Sequence, residues 1–375
     1  MDRNFNYSFF NIMRFFCSIS IALFCHYAEW FIYYMDTYNH FAEFPALAVL
    51  TGQSNHFTEL FFIISGILFI HVYLPRIIAG KTSLDSFFKG RFFRLFPMII
   101  LSSLVLYLIQ ILLINFGFEP WYASLDIVTL FYDFLFGSGV VFMPDAFVNG
   151  PIWYLGTLMF VYLLAYGTAL LYKKYPNKMI FFIMIFVGVC FINFDADLPV
   201  INYRVGRGIT AFFEGCLIEF FLQSVPSFSK KKKTWLAVAA GIMFMIALVY
   251  LGLYLSGKDE FLANLDLFYD FCVYPPFIYL CFICKPLNKL SNTKFVKWLG
   301  NISYGIYLWN FTVFSFTFFL LRMQNFGADW LNQNWIKVWL LMLAGHIGLS
   351  ALSYQFYEKP VADYAKKHWM QEKKA

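Results

Sequence analysis

The chain has 375 residues, a formal charge of +6, 61% apolar residues and only 13% charged ones, about half the roughly 25% charged content of a soluble domain. That balance excludes a disordered chain, a nucleic-acid binder and an ordinary soluble enzyme. The length would suit two or three soluble domains, yet no polar linker, internal repeat or low-complexity block divides 1–375, so the chain reads as one all-α unit that crosses a membrane many times.

A helix needs about 20 apolar residues to cross roughly 30 Å of hydrocarbon. Ten stretches approach that length: 14–35, 57–75, 95–116, 151–172, 179–194, 208–224, 235–255, 267–284, 298–321 and 335–357. The first is too long for a signal peptide and lacks a small-residue cleavage site. The stretch 127–143 is also apolar, but Asp133 and two glycines interrupt it, and it reads as a re-entrant or interfacial segment on the outer face. With the N-terminus inside, all but five of the 28 Lys and Arg fall in inner segments; the outer ones are Arg204, Arg207, Lys258, Arg322 and Lys337. The asymmetry predicts ten crossings, both termini inside, in the cell's inner or plasma membrane. The run Lys230–Lys233 reads as a topology anchor beside anionic lipid.

The seven cysteines lie in or beside apolar runs. Cys281 and Cys284 have the C-x-x-C spacing without a second pair or a nearby His, so no metal site is expected. The outer loops 36–56 and 117–150 lack Lys and Arg but carry Tyr38, Asn39, His40, Glu43, Trp121, Tyr122, Asp126, Asp145 and Asn149. Aromatics among polar groups either stack on sugar faces or anchor helices at the lipid interface.

Ionisable groups at membrane depth point to function. His26 lies twelve residues beyond Arg14, about 18 Å along a helix, and so near the midplane. An imidazole there either moves protons near neutral pH or sits neutral and hydrogen-bonded in the bundle. Glu59 opens the second span and is placed to orient His26 or stabilise its cationic form; Glu29, one turn past His26, competes for that role but reads better as a solvated rim carboxylate. In the inner loop before the third span, Arg91 and Arg94 share a helix face. Two guanidiniums on one face suit phosphates, and they suit positive-inside anchoring equally well.

Six motifs occur in order between about residues 8 and 362: Arg14 followed by His26; Glu59-Leu60-Phe61-Phe62-Ile63-Ile64-Ser65-Gly66-Ile67-Leu68; Arg91-Phe92-Phe93-Arg94 with Pro97; Asn149-Gly150-Pro151-Ile152-Trp153-Tyr154-Leu155; Leu299 to Leu308; and Tyr357-Glu358-Lys359-Pro360. Together they resemble the integral membrane acyltransferase 3 family, whose members acylate cell-surface and secreted glycans. The resemblance implies a catalytic His26, with Arg14, Arg91 and Arg94 holding acyl-CoA on the inner side and the Ser65-Gly66 step beside its path. Gly66 also suits close helix packing. Trp153 reads as an acceptor-site residue or an interfacial belt residue.

Three departures from the family pattern stand out. Eleven residues separate Arg14 from His26 where the family has ten, which turns the pair about 120° apart on a regular helix. Leu158 and Met159 stand where many members carry an acid. Asn310 falls where many carry a His, and His71 and His346 match no motif, so the resemblance leaves His26 as the sole imidazole base.

The expected reaction is transfer of an acetyl group from cytoplasmic acetyl-CoA to a sugar hydroxyl of a cell-surface or exported polysaccharide, or of a lipid-linked glycan. His26 would act as general base or acyl carrier, beside Glu59. An oxyanion donor is required, with Ser65 or a backbone N–H as candidates. Acetyl-CoA is the donor substrate; no bound cofactor, metal or nucleic acid is expected, and membrane lipid surrounds the chain. The rival reading is a transporter or flippase of a lipid-linked sugar, which Pro-broken helices and mid-depth polar groups would also serve, although no inverted repeat supports it.

Overall fold

Hydrocarbon offers no hydrogen-bond partners, so each backbone amide inside it must be satisfied within its own segment, and a chain this apolar resolves into helices. The computed structural model describes residues 7–119, 125–136, 148–194, 198–255 and 264–368, which form helices joined by short connections, with no strand among them. In chain order those of eight residues or more are α1 (Phe9–Met35), α2 (Pro45–Ile78), α3 (Leu84–Asn115), α4 (Ile127–Phe134), α5 (Ile152–Lys174), α6 (Met179–Asn193), α7 (Tyr203–Ser227), α8 (Lys230–Leu255), α9 (Leu265–Ile283), α10 (Lys294–Leu308), α11 (Asn310–Met323) and α12 (Ala328–Ala365). Trp121, Tyr122, Asp145, Lys258 and the far part of 127–143 lie outside the described residues.

Each apolar stretch expected to cross has its helix. Eight are long and apolar enough to span a membrane, and α10 with α11, meeting at 63°, supplies another if the bent pair is one span. Helix α6, at 15 residues, is only about 22 Å long. The described part of the interrupted stretch, α4, has 8 residues, or about 12 Å. Helix α8 shows what surrounds the bundle: Ala240, Ala247 and Leu251 are buried, while Val238, Ile242, Met243, Met245, Ile246 and Val249 face outward. An apolar surface of that extent suits lipid and not water.

Two boundaries differ from the sequence reading. Helix α3 begins at Leu84 because Ser83 caps it, its Oγ accepting from Ser86 N at 3.2 Å, so Arg91 and Arg94 stand on a continuous helix and not in a loop. Helix α2 starts at Pro45, and a 3-10 turn over Ser54–His56 joins its first segment to the second. Three π-helical turns, Phe69–Tyr73, Tyr269–Val273 and Tyr354–Glu358, each end two residues before a proline, at Pro75, Pro275 and Pro360. A proline lacks the N–H and crowds the carbonyl four residues back, and in all three cases that carbonyl (His71, Phe271, Phe356) lies within the widened turn.

Helices α2 and α7 touch backbone to backbone. A Cβ added at Gly66 would lie 1.9 Å from the Phe212 carbonyl oxygen, and one at Gly215 would lie 2.1 Å from that of Ile63. The two run parallel, since Glu59 meets Arg207 near one end and His71 meets Glu219 near the other. A parallel pair needs an odd number of crossings between its members, which α3, α5 and α6 provide. We expect Gly66→Ala and Gly215→Ala each to lower the thermal unfolding temperature in detergent by the equivalent of about 1–3 kcal/mol or more, the scale of overpacking. Gly52→Ala, where an added Cβ meets nothing within 4 Å, is the control and should leave it unchanged or slightly raised.

Candidate active site

The motifs converge on one cavity of about 430 Å³. Arg14 enters it from α1, Ser65 from α2, Arg91 and Arg94 from α3, Tyr154 from α5, Tyr304 from α10, and Glu358 with Lys359 from α12. Arg14 is turned along its own helix, Nε donating to Phe10 O at 3.3 Å and a terminal nitrogen to Asn11 Oδ1 at 2.9 Å. Arg91 is buried in an aromatic cage, its guanidinium carbon 4.2 Å from the Tyr73 ring centre, 4.9 Å from Tyr162 and 5.3 Å from Phe87. No carboxylate contacts it among the described residues, and its Nε has no hydrogen-bond partner. Tyr304 ties the wall together, its hydroxyl donating to Leu95 O at 2.9 Å. Four cationic side chains (Arg14, Arg91, Arg94, Lys359) line the cavity against two carboxylates, Glu358 and Asp363. The surplus charge and the open guanidinium edges fit a phosphorylated anion.

Gly66 does not line this cavity; it is the contact point of α2 with α7. His26 does not line it either. Its half-buried imidazole lies in a π-helical stretch, Ile21–Ile32, stacked on Phe311 with ring centres 5.2 Å apart. A π turn holds one residue more than an α turn, which is the one residue by which the Arg14–His26 spacing exceeds the family pattern. Nδ1 of His26 hydrogen-bonds the side-chain amide of Asn310, and the same amide lies 3.3 Å from Nε2 of His346. The cavity ends close by: Tyr307 lines it, three residues before Asn310. Phe61, Tyr154 and Tyr307 form a ring cluster in that wall, with centres 5.8 to 6.2 Å apart.

The structure does not bring Glu59 to His26. Its carboxylate is fully buried and hydrogen-bonds the Arg207 guanidinium. Arg207 Nε also stands 3.6 Å from Asp266, which in turn binds His56 and the Tyr203 hydroxyl. Trp153 is drawn into the same group, with the Arg207 guanidinium 5.3 Å from its ring centre. The reason lies in the helix pairing, because parallel α2 and α7 place Glu59 and Arg207 at one level. Glu29 is exposed, as a rim carboxylate would be. Among the described outer-loop groups, His40 stacks on Trp335 at 5.1 Å, Asn39 accepts from Phe41 N and Asn149 is buried, while the side chains of Tyr38, Glu43 and Asp126 are exposed.

Among the described residues two sets of side chains have metal-ligand chemistry, Cys25/His26/Glu29 and His56/Glu59/Asp266, each with candidate atoms within 4.8 Å of one another. In the second, Arg207 already supplies the positive charge. Just ahead of α1, Tyr7 donates to Glu219, which also accepts from Gln223 and pairs with His71. Burial, and then the Glu219 carboxylate, hold the Tyr7 hydroxyl far above its usual range.

Arg207, Asp266, Asn310 and His346 are among the polar residues that the sequence reading did not assign to a site. Each is a polar group within an apolar stretch or at its edge, and that is a signal available without coordinates. We expect Glu59→Gln to lower thermal stability by about 1.5–3 kcal/mol, the scale of a hydrogen bond to a charged group, because Arg207 keeps Asp266 as a counter-charge at 3.6 Å. Donor affinity of the folded fraction should be unchanged, checked by thermal unfolding and by acyl-CoA binding on the same preparation.

A family model for an acyltransferase domain matches residues 7–355. The peptidoglycan O-acetyltransferase OatA of Listeria monocytogenes is 22% identical over 330 residues, covering 81% of this chain and 50% of that protein. The chain thus spans about half the length of this curated relative. No solved structure matches it.

Proposed function

The chain belongs to the acyltransferase 3 family, and from that premise we propose that it transfers an acetyl group from acetyl-CoA on the inner side to a sugar hydroxyl of a cell-surface or exported polysaccharide. The observation that carries the donor half is the cavity in which Arg14, Arg91 and Arg94 meet beside Ser65, with no carboxylate in contact with Arg91 among the described residues. Coenzyme A carries a pyrophosphate and a 3′-phosphate, and planar guanidiniums accept such groups in pairs of hydrogen bonds. The positive-inside bias of the sequence supports reading this end of the bundle as the cytoplasmic one. The named activity of the relative, O-acetylation of peptidoglycan, supports acetyl as the group moved and a glycan as the acceptor class.

In this reading the phosphates rest on Arg91, Arg94 and Arg14, and the pantetheine arm runs past Phe61 and Tyr307 toward His26. His26 takes the proton of the acceptor hydroxyl as that oxygen attacks the thioester carbonyl. The carbon–sulfur bond then breaks, and the coenzyme A thiolate recovers the proton. An acetyl-imidazole intermediate is the second route open to the same residue. Glu59 supports the site through Arg207 and does not touch His26; Trp153, against Arg207, borders the acceptor side.

Two measurements test this. Binding of radiolabelled acetyl-CoA to the purified protein should weaken about 10- to 100-fold in Arg91→Ala or Arg94→Ala, because a hydrogen bond to a charged group contributes about 1.5–3 kcal/mol; undiminished binding would remove the donor site from the cavity. In cells lacking the gene, surface O-acetyl should fall and return with the wild type but not with His26→Ala at matched membrane levels. Full rescue by His26→Ala would sink the base assignment, and unchanged O-acetyl on deletion would favour a lipid-linked sugar transporter.

A further inference from the structure

An imidazole that removes a proton must present a bare nitrogen, and the group on its other nitrogen decides which one is bare. In His26 the bonded nitrogen is Nδ1, and its partner is the Asn310 amide. An amide can serve that nitrogen in two ways, accepting through Oδ1 or donating through Nδ2. Its nitrogen and oxygen fill nearly equal volumes, so shape does not choose between them; the hydrogen count around the group does.

The count starts at the far end. His346 is fully buried, and its Nδ1 lies 2.7 Å from the Met342 carbonyl oxygen, an acceptor only. That nitrogen therefore carries the hydrogen. As placed, the Asn310 amide turns Oδ1 to Nε2 of His346 at 3.3 Å and Nδ2 to Nδ1 of His26, and a half-turn of the amide exchanges the two ends without loss of fit. If Oδ1 faces Nε2, both nitrogens of His346 must donate and the ring is a cation. Its other close neighbour is the Phe314 ring, 5.6 Å away edge to face, and no carboxylate contacts it among the described residues. A bare cation within a membrane bundle is strongly disfavoured. If Nδ2 faces Nε2, His346 is neutral and every hydrogen has its acceptor. Oδ1 then faces His26, whose Nδ1 must carry a hydrogen, and Nε2 of His26 is left with its lone pair. No hydrogen bond reaches that nitrogen among the described residues.

We propose that Asn310 and His346 form a positioning chain, Met342 O to His346 to Asn310 to His26, which holds His26 in the Nδ1–H tautomer and turns its Nε2 lone pair toward the acceptor hydroxyl. The inference rests on the reading of His26 as a base, and it gives His346 a place in the site. The surrounding packing holds the chain in register. Trp309, at the break between α10 and α11, donates from its indole nitrogen to Ser353 Oγ at 2.9 Å, and a Cβ on Gly305 would lie 3.0 Å from Ser350. Helix α12 is thereby fixed against the broken pair, with His346 level with Asn310. Neither residue touches substrate; each acts through His26.

The tautomer can be read directly by nitrogen-15 NMR of histidine-labelled protein in bilayers, with the His26 and His346 signals assigned by their loss in His26→Gln and His346→Gln. Both rings should show a protonated Nδ1 and an unprotonated Nε2 near neutral pH. Transfer assays add a second readout. His346→Phe, which lets the amide turn over, should lower kcat about 10- to 100-fold, the scale for imidazoles that lose their orienting partner at metal sites, with the KM for acetyl-CoA unchanged. His346→Gln, whose own amide can accept from Asn310 and donate to Met342, should recover most of the rate. An Nε2–H tautomer of His26 in the wild type, or equal kcat in His346→Phe and wild type, would overturn the chain. Because the NMR signature needs no turnover, its presence in a protein without acetyl transfer would sink the reaction and leave the chain standing.

Discussion

The contact of α2 with α7 is the constraint on which the rest depends. Nothing but backbone stands between the helices at Gly66 and Gly215, and lipid gives two helices no hydrophobic reason to associate, so close approach and polar pairing must do so. Each end of the contact carries a buried polar group that would be unfavourable alone: Glu59 with Arg207 at one end, Glu219 with His71 and Tyr7 at the other. The parallel pairing sets the level of every residue on α2. Ser65 then falls on the cavity wall and Glu59 falls away from His26.

The second constraint is the break between α10 and α11. Ending a helix inside a bundle strands carbonyl groups, and the Leu308 carbonyl is met by Asn149, whose Nδ2 donates to it at 3.1 Å. Asn149 is positioned in turn by Asp133, which accepts from the backbone N–H groups of Val148 and Asn149, both at 3.0 Å. The acid that interrupts the apolar stretch 127–143 therefore supports the turn that frees Asn310 to reach both imidazoles. Helix α4 and the break beside Asn310 are linked by three hydrogen bonds.

Much of this was legible in the sequence, for physical reasons. Apolar stretches near 20 residues mark helices because lipid allows little else, and the pair Arg91 and Arg94, which share a helix face by spacing, both line the cavity. The ordered motifs gave the family. Partner choice was less legible: Glu59 could face His26 or Arg207 by sequence alone, and only the parallel register of α2 and α7 decides. Asn149 reads as a loop residue because Gly150 and Pro151 follow it, yet it is fully buried where a carbonyl needs a donor. The π turns had a readable signal in Pro75, Pro275 and Pro360. The fourth, around His26, has no proline; the extra residue between Arg14 and His26 is its one mark.

The cage around Arg91 has a consequence for the timing of order. A free arginine side chain holds about 2 kcal/mol of rotamer entropy, and a protein that grips its ligand with such a chain surrenders that freedom on binding. The rings of Tyr73, Phe87 and Tyr162 hold the guanidinium in place beforehand, so the freedom is lost once, when the bundle assembles, and not again at every turnover. Arg94, exposed on the same helix face, would give up its freedom only on binding. In the proposed donor site an incoming phosphate would thus meet one guanidinium ordered beforehand and one ordered by the encounter.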